Sequence, residues 1–223
     1  MPALLETLRA HAPAAAWQWL QRGLPASAEE AATPAFYGAL AGAGRRFGAV
    51  HPALAAAERA RLVEAGLVEP AVWSLADLAR AALLLSATAQ LPADRHVAMA
   101  TEVFRKGDSG ERVSLLRSLP LLPEPERFAE LAIDACRSHV LEVLLAVGHH
   151  NPLPARCFPE PLFNMLLMKV LFVEQSLLPV VGWRQRRNPE LARMARDFAA
   201  ERRAAGRPLP TDLPLLLAPE TSP

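Results

Sequence analysis

The segment PLFNMLLMKVLFV occupies residues 161–173, and the segment NPELARMARDFAAERRAAGR follows at residues 188–207. In the first segment Asn164 and Lys169 stand among apolar residues, so a helix here is apolar nearly all round. The second begins with Asn188-Pro189, an N-cap residue followed by a proline suited to the first helical position. These two segments therefore predict a pair of helices, Pro161 to Val173 and Asn188 to Arg207, that pack against each other.

The second of these helices has an apolar stripe and an arginine-rich opposite face. The stripe consists of Leu191, Met194, Ala195 and Phe198. At 100° per residue Arg202 falls within the stripe, so we expect it to point inward, to a carboxylate or an anionic ligand. The opposite face carries Arg193, Arg196 and Arg203. Arginines on such a face either are solvated or form a patch that contacts phosphate or a partner.

The composition predicts an all-α protein. The 223 residues include a single Tyr and many Ala and Leu, which favour helices, while the residue types that favour strands are sparse. The formal net charge of +1 provides no general attraction to nucleic acid, and the aromatic residues that stack on bases are not interleaved with the arginines. We therefore expect no nucleic-acid partner, no β-sheet and at least eight helices.

Prolines divide the second half of the chain at regular intervals. The identical strings Pro123-Glu124-Pro125 and Pro159-Glu160-Pro161 lie 36 residues apart. A two-helix unit of this length is typical of stacked helical hairpins, so we predict a HEAT-like α-solenoid, with an irregular helical bundle as the alternative. We predict one helical domain at residues 1–207, composed of N-terminal helices at 1–73 and a second part at 74–207. A Pro-rich, mostly unstructured tail at 208–223 would follow, in which Leu213 to Leu217 could dock.

Candidate reactive groups lie in the C-terminal half. Lys169 is either a base or Schiff-base former with a lowered pKa, or a structural cation paired with a carboxylate such as Glu174, Asp197 or Glu201. If the protein is an enzyme, its catalytic candidates are Lys169, Asn164 and Arg202. A deep closed pocket containing Lys169 would favour the enzyme, and a shallow surface lined with arginine would favour a scaffold.

Metal and cofactor sites are not predicted. Histidines and cysteines occur at His139, His149-His150, Cys136 and Cys157, but none has a recognised zinc-ligand spacing. The chain contains no phosphate-binding glycine loop, no G-x-S-x-G and no aspartate run for magnesium. Two cysteines in a chain of this length suggest a reducing compartment, and no signal peptide is recognisable, so we expect a cytoplasmic protein. The polar residues within 162–183 argue against a membrane span.

From Ser74 onward the sequence resembles the EboA family of bacterial proteins. The matching positions are 115–123 (LLRSLPLLP), 151–152, 158–160, Asn164, Lys169, Phe172, Gly182, 188–194 and 201–207. The resemblance implies a small cytoplasmic protein encoded beside prenyltransferase-like, cyclase-like, phosphatase-like and isomerase-like neighbours, in gene groups that make or move secondary metabolites. This chain departs from the family at Arg203, where an aromatic is common, and at Met165, where Gln is common.

Three functions follow from these observations and the resemblance. The first is a non-enzymatic binding or scaffold protein whose C-terminal half holds a metabolite or a pathway enzyme. Its candidate contact residues are Arg193, Arg196, Arg203, Asn151 and His150. The second is a small metal-independent tailoring enzyme that acts on a natural-product intermediate, for example an isoprenoid. The third is a structural protein in peripheral contact with a membrane prenyltransferase.

Overall fold

The structure, a computed structural model, describes residues 1–25 and 27–217. These residues form thirteen α-helices and four short 3₁₀ helices, and they contain no β-strand beyond one isolated antiparallel bridge between His149 and Val180. The α-helices are α1 (Pro2–His11), α2 (Ala14–Gly23), α3 (Pro34–Phe47), α4 (Ala56–Glu64), α5 (Leu75–Gln90), α6 (His96–Lys106), α7 (Ser109–Ser118), α8 (Ala129–Ala135), α9 (Leu141–Gly148), α10 (Leu153–Cys157), α11 (Glu160–Phe172), α12 (Pro189–Ala204) and α13 (Leu213–Leu217). The all-α prediction is confirmed.

The chain forms two compact units, Met1–Leu131 and Ala132–Pro223, which divide within α8. In the first unit α5 is the central helix, because α1, α3 and α7 all pack against it. Nearly every side chain from Leu75 to Thr88 is buried. A helix surrounded in this way is what the bundle alternative predicts, since repeats in a solenoid contact only their neighbours. Stacked hairpins are not confirmed.

A buried polar cluster connects three helices of the first unit. Asp77 accepts hydrogen bonds from the backbone N–H of Ser74, from Oγ of Ser114 (2.6 Å) and from Nη1 of Arg117 (2.9 Å). Arg80 donates from Nε to the carbonyl oxygen of Leu40 on α3 (3.0 Å) and from Nη1 to Oγ of Ser114 on α7 (3.2 Å). These bonds satisfy charged groups that burial would otherwise destabilise. Periodicity alone did not indicate this cluster, because it lies on a helix that is buried on all sides.

The helices of the second unit pack in pairs. The helix α11 packs against α9 and α12, and α13 packs against α12. Leu213 and Leu216 of α13 are 0% and 2% exposed, so the described part of the Pro-rich tail ends in a docked helix. Residues 218–223 of the predicted tail lie outside the described residues.

Candidate functional site

The predicted helix pair of the C-terminal unit is present. Leu191 and Ala195 are buried as the apolar stripe predicts, whereas Arg196 on the opposite face is exposed. Phe198 is half-buried, and its ring lies 6.4 Å from that of Phe172 at the end of α11. Ala199, the residue after Phe198, is buried in the helix pair. The period was therefore interpreted correctly, with Phe198 at the edge of the stripe.

Asn164 forms a reciprocal amide pair with Asn188. Nδ2 of Asn188 donates to Oδ1 of Asn164 (2.9 Å), and Nδ2 of Asn164 donates to Oδ1 of Asn188 (3.1 Å). The same Oδ1 of Asn188 accepts from the backbone N–H of Leu191 (2.8 Å), which confirms the predicted N-cap of α12. Asn164 is 1% exposed. Its amide therefore positions the start of α12 from inside the helix pair.

Arg186 connects the loop before α12 to α10. Its Nη1 donates to the carbonyl oxygens of Pro154 (3.0 Å) and Ala155 (3.2 Å), and its Nη2 donates to that of Phe158 (2.7 Å). The guanidinium carbon lies 4.3 Å from the centre of the Phe163 ring. Nothing in the sequence spacing distinguishes Arg186 from its neighbours Arg184 and Arg187, so this contact was not predicted. A cation at the carbonyl end of a short helix is stabilised by the helix dipole.

Lys169 donates hydrogen bonds to backbone carbonyls, and the predicted carboxylate partner is wrong. Its Nζ donates to the backbone carbonyl oxygens of Cys136 and Ser138, the latter at 2.9 Å. These carbonyls follow the last residue of α8, where helix carbonyl groups lack partners within the helix. Burial raises the pKa of the Cys136 thiol to about 12, although the charge of Lys169 acts in the opposite direction. The thiol beside Lys169 is thus protonated at neutral pH and is a poor nucleophile.

His150 and Asn151 lie in the turn between α9 and α10. The backbone N–H of His150 donates to the carbonyl oxygen of Pro179 (2.8 Å), and His150 has a φ of +53°. Asn151 is 3% exposed and donates from Nδ2 to the carbonyl oxygen of Ala146, while its Oδ1 accepts from the backbone N–H of Leu153. The Asn151 amide therefore joins the end of α9 to the start of α10.

The imidazole of His149 joins the end of α9 to the loop after α11. Its Nε2 donates to the carbonyl oxygen of Ser176 (2.9 Å). Burial lowers the pKa of His149, and the neighbouring His150 acts in the same direction, while the bond to Ser176 opposes them. The unfolded chain therefore takes up the proton first as the pH falls below about 6.5. The stability that neutral His149 provides is present above that pH and is lost as the pH falls toward the folded-state pKa.

We expect the His149→Gln variant to lose this part of the pH dependence. Gln can still donate to the carbonyl of Ser176 but does not titrate. The free energy of unfolding of the variant should therefore fall less than that of the wild type when the pH is lowered from about 7.5 to about 5.5. Urea unfolding of both proteins at the two pH values measures the difference. The same loss of stability in both proteins would show that His149 does not contribute to the pH dependence.

A recess of this unit surrounds Arg202. We call it the Arg202 cleft, a space of about 460 Å³ lined by Glu174, Gln175, Ser176, Arg202 and residues 208–212. The Arg202 side chain is 12% exposed, and it donates from Nη2 to Oε1 of Glu174 (2.8 Å) and from Nε to the carbonyl oxygen of Pro208 (2.7 Å). Arg202 points inward to a carboxylate, as predicted. Its Nη1 has no hydrogen-bond partner among residues 1–25 and 27–217.

The walls of the Arg202 cleft are held by hydrogen bonds within the unit. Oδ2 of Asp212 accepts from Oγ of Ser176 (2.6 Å) and from the backbone N–H of Leu177 (2.8 Å). Glu174 follows α11 with a φ of +58°, a conformation that is costly for a residue other than glycine. One guanidinium and two carboxylates line the cleft, so it is not an anion site by charge.

The outward arginines of α12 differ from one another. Arg193 donates to both Glu190 (2.6 Å) and Asp197 (2.6 Å) of its own helix, and these contacts raise the pKa of the guanidinium. Arg196 and Arg203 are exposed, and neither makes an ion pair with any described residue. Lys169, Asn164 and Asn151 do not line the Arg202 cleft. Of the three catalytic candidates, Arg202 alone lines this cleft.

No group of three or more His, Cys, Asp or Glu residues in the described chain could hold a metal ion, and no helix there is long and apolar enough to cross a membrane. The family model described as "Metabolite traffic protein EboA" matches residues 2–217. No curated protein and no solved structure matches the chain.

Proposed function

Since the chain belongs to the EboA family, we propose that it is a non-enzymatic binding protein in the biosynthesis or traffic of a bacterial secondary metabolite. The family description supports a role in metabolite traffic. Cytoplasmic location and a pathway enzyme as a further partner are parts of the same proposal. The proposed ligand site is the Arg202 cleft, and the proposed surface for a partner enzyme is the exposed pair Arg196 and Arg203.

The proposal rests on one observation: two of the candidate reactive groups make their hydrogen bonds within the fold. The Lys169 ammonium donates to two backbone carbonyls, and the Asn164 amide is paired with Asn188. A catalytic base or nucleophile must reach a substrate, and neither of these groups lines the Arg202 cleft. Arg202 can orient a ligand through its guanidinium, a group that donates hydrogen bonds and accepts none. Binding without chemistry is the function that these contacts support best.

The cleft has the size and composition of a small-molecule site. Its volume of about 460 Å³ lies within the range of ligand pockets, roughly 300–1,000 Å³. Leu209 and the prolines 208 and 210 provide apolar wall, while Nη1 of Arg202 and the Thr211 hydroxyl provide polar contacts. This combination fits a mostly uncharged organic molecule with a few oxygen atoms.

Native mass spectrometry tests the proposal. The purified protein is incubated with a small-molecule extract of its native cells and then sprayed intact. We expect an adduct whose released ligand has the same mass as a compound of the extract. Thr211→Trp fills the cleft and should weaken the adduct about tenfold or more, a loss of about 1.4 kcal/mol. Ala200→Trp places the same side chain on the exposed face of α12 and should leave the adduct unchanged.

Two outcomes would contradict this function. A compound consumed from the extract and replaced by a product of different mass would show the tailoring enzyme instead. An adduct that survives Thr211→Trp as fully as it survives Ala200→Trp would show that the ligand binds elsewhere.

A further inference from the structure

The N-terminal unit contains a recess lined by three arginines and no acid. It lies between α2 and α3, has a volume of about 330 Å³, and we call it the Trp19 pocket. The lining of the pocket includes Trp19, Arg22, Gly38, Ala39, Arg45 and Arg46. Arg22 belongs to the last turn of α2, and Arg45 and Arg46 belong to the last turn of α3. Each arginine is exposed.

The three guanidinium groups have no carboxylate partner among the described residues. A helix dipole stabilises a cation in the last turn, which accounts for each arginine taken alone. It does not account for arginines of two helices lining one recess, because like charges repel. Three other recesses of the protein differ in this respect, since each contains at least one carboxylate: Glu174 and Asp212, Glu102 and Glu111, or Glu6.

One side of the Trp19 pocket is held in place by packing. The Arg46 guanidinium carbon lies 4.3 Å from the centre of the Trp19 ring, and its Nη1 donates to the carbonyl oxygen of Gly42 (3.3 Å). The Trp19 ring in turn lies 6.3 Å from that of Phe47. A guanidinium stacked on an aromatic ring keeps its edge available for hydrogen bonds to an oxyanion. Arg46 is therefore oriented before any ligand arrives.

Two residues that line the Trp19 pocket, Gly38 and Ala39, are small and leave open space. A Cβ added at Gly38 would meet no atom within 4 Å, and Ala39 projects only a methyl group. Glycine within a helix is disfavoured relative to alanine, so Gly38 does not serve helix stability. Its effect is to leave space beside the three arginines. That space is large enough for an oxyanion and part of the molecule that carries it.

We propose that the Trp19 pocket binds the phosphate or diphosphate group of a small-molecule metabolite. Guanidinium groups bind phosphate oxygens through paired, charge-assisted hydrogen bonds. Three positive charges match a multiply charged phosphate or diphosphate better than a singly charged carboxylate. The site lies in the N-terminal unit and does not depend on the proposed role of the Arg202 cleft.

Calorimetric titration with inorganic pyrophosphate, inorganic phosphate and acetate at constant ionic strength tests the site. We expect saturable binding in the order pyrophosphate, phosphate, acetate. Arg45→Gln should weaken pyrophosphate binding on the order of tenfold, because one charge-assisted contact is lost. Arg95→Gln removes an equally exposed arginine of the same unit and should change the affinity less than about twofold. Equal weakening by both variants, or acetate that binds as tightly as pyrophosphate, would overturn the proposal.

A pair of substitutions at Gly38 separates charge from space. Gly38→Glu places a carboxylate among the arginines, whereas Gly38→Gln adds a side chain of the same size without charge. Both should fold, since the site is open and both residues favour helices more than glycine. We expect Gly38→Glu to weaken pyrophosphate binding at least about tenfold more than Gly38→Gln. Equal affinities of the two variants would show that the arginines do not bind the anion.

Vesicles distinguish a soluble metabolite from a lipid headgroup. Sedimentation with phosphatidylcholine vesicles, with and without phosphatidic acid, is measured beside the pyrophosphate titration. We expect no sedimentation that depends on Arg45. Capture by phosphatidic acid that Arg45→Gln abolishes, without binding of free pyrophosphate, would assign the pocket to a membrane surface and overturn the small-molecule proposal. Thr211→Trp, which fills the Arg202 cleft, should leave pyrophosphate affinity unchanged.

Discussion

The Lys169→Met variant should be about 3 kcal/mol less stable to unfolding than the wild type. Methionine has a similar length but no donor, so the carbonyl oxygens of Cys136 and Ser138 lose the ammonium that binds both. A hydrogen bond to a charged group contributes about 1.5–3 kcal/mol, and part of the loss is regained by the apolar side chain. Urea unfolding measures the change directly, and the melting temperature should fall on the order of 10 °C.

The matched control for this variant is Lys106→Met. Lys106 is the other lysine of the chain, and its side chain is 69% exposed beside Glu102. An exposed ion pair contributes little, so Lys106→Met should change stability by less than about 1 kcal/mol. If Lys169 were a catalytic group, its removal would abolish ligand turnover while leaving the melting temperature unchanged or higher. A Lys169→Met protein with that behaviour would contradict both its structural role and the non-enzymatic function.

Gly182→Ala should cost about 3 kcal/mol, an effect of similar size with a different cause. Gly182 has a φ of +76°, where an L side chain is strained by about 1–2 kcal/mol. Its new Cβ would also lie 2.7 Å from Cβ of Ala155, so the backbone must move. The carbonyl of Gly182 accepts from the backbone N–H of Arg186, and this movement would disturb the guanidinium that binds the end of α10.

Two further variants divide this cost between strain and contact. Gly206 has a φ of +64° but no atom within 4 Å of an added Cβ, so Gly206→Ala should cost only the strain, about 1 kcal/mol. Ala155→Gly combined with Gly182→Ala removes the close contact and should recover part of the loss, beyond the effect of Ala155→Gly alone. Urea unfolding of the wild type and these four variants measures both the strain and the contact. Equal losses for Gly182→Ala and Gly206→Ala would show that the contact with Ala155 does not matter.

These two predictions bear on function because they concern positions of the family resemblance. Lys169, Gly182 and Asn164 are among the residues that match the family. Lys169 and Asn164 make hydrogen bonds within the C-terminal unit, and Gly182 packs closely against Ala155. A matching residue is therefore not by itself a site residue. The Arg202 cleft contains the matching residue Arg202 together with residues outside the matching positions, such as Thr211. The residues that line the Trp19 pocket all precede Ser74, where the resemblance begins.

The sequence by itself determined the helical class, the pairing of α11 with α12 and the inward direction of Arg202. Composition and the 3.6-residue period are local properties, and they remain visible without knowledge of the neighbours. The N-cap at Asn188 was predicted for the same reason, since its hydrogen bond joins residues three apart. Whether residues 213–217 form a docked helix could not be predicted, because five residues are too few to show a period.

Only the tertiary structure decided which groups these side chains bind. Lys169 was expected to pair with a carboxylate, but the carbonyls at the end of α8, more than thirty residues away, are its acceptors. Backbone carbonyls are present at every position, so no residue type marks them in the sequence. The Trp19 pocket depends likewise on the ends of two helices meeting, which places Arg22 beside Arg45 and Arg46. A charge is visible in the sequence, whereas the partner that surrounds or neutralises it is set by the packing of distant segments.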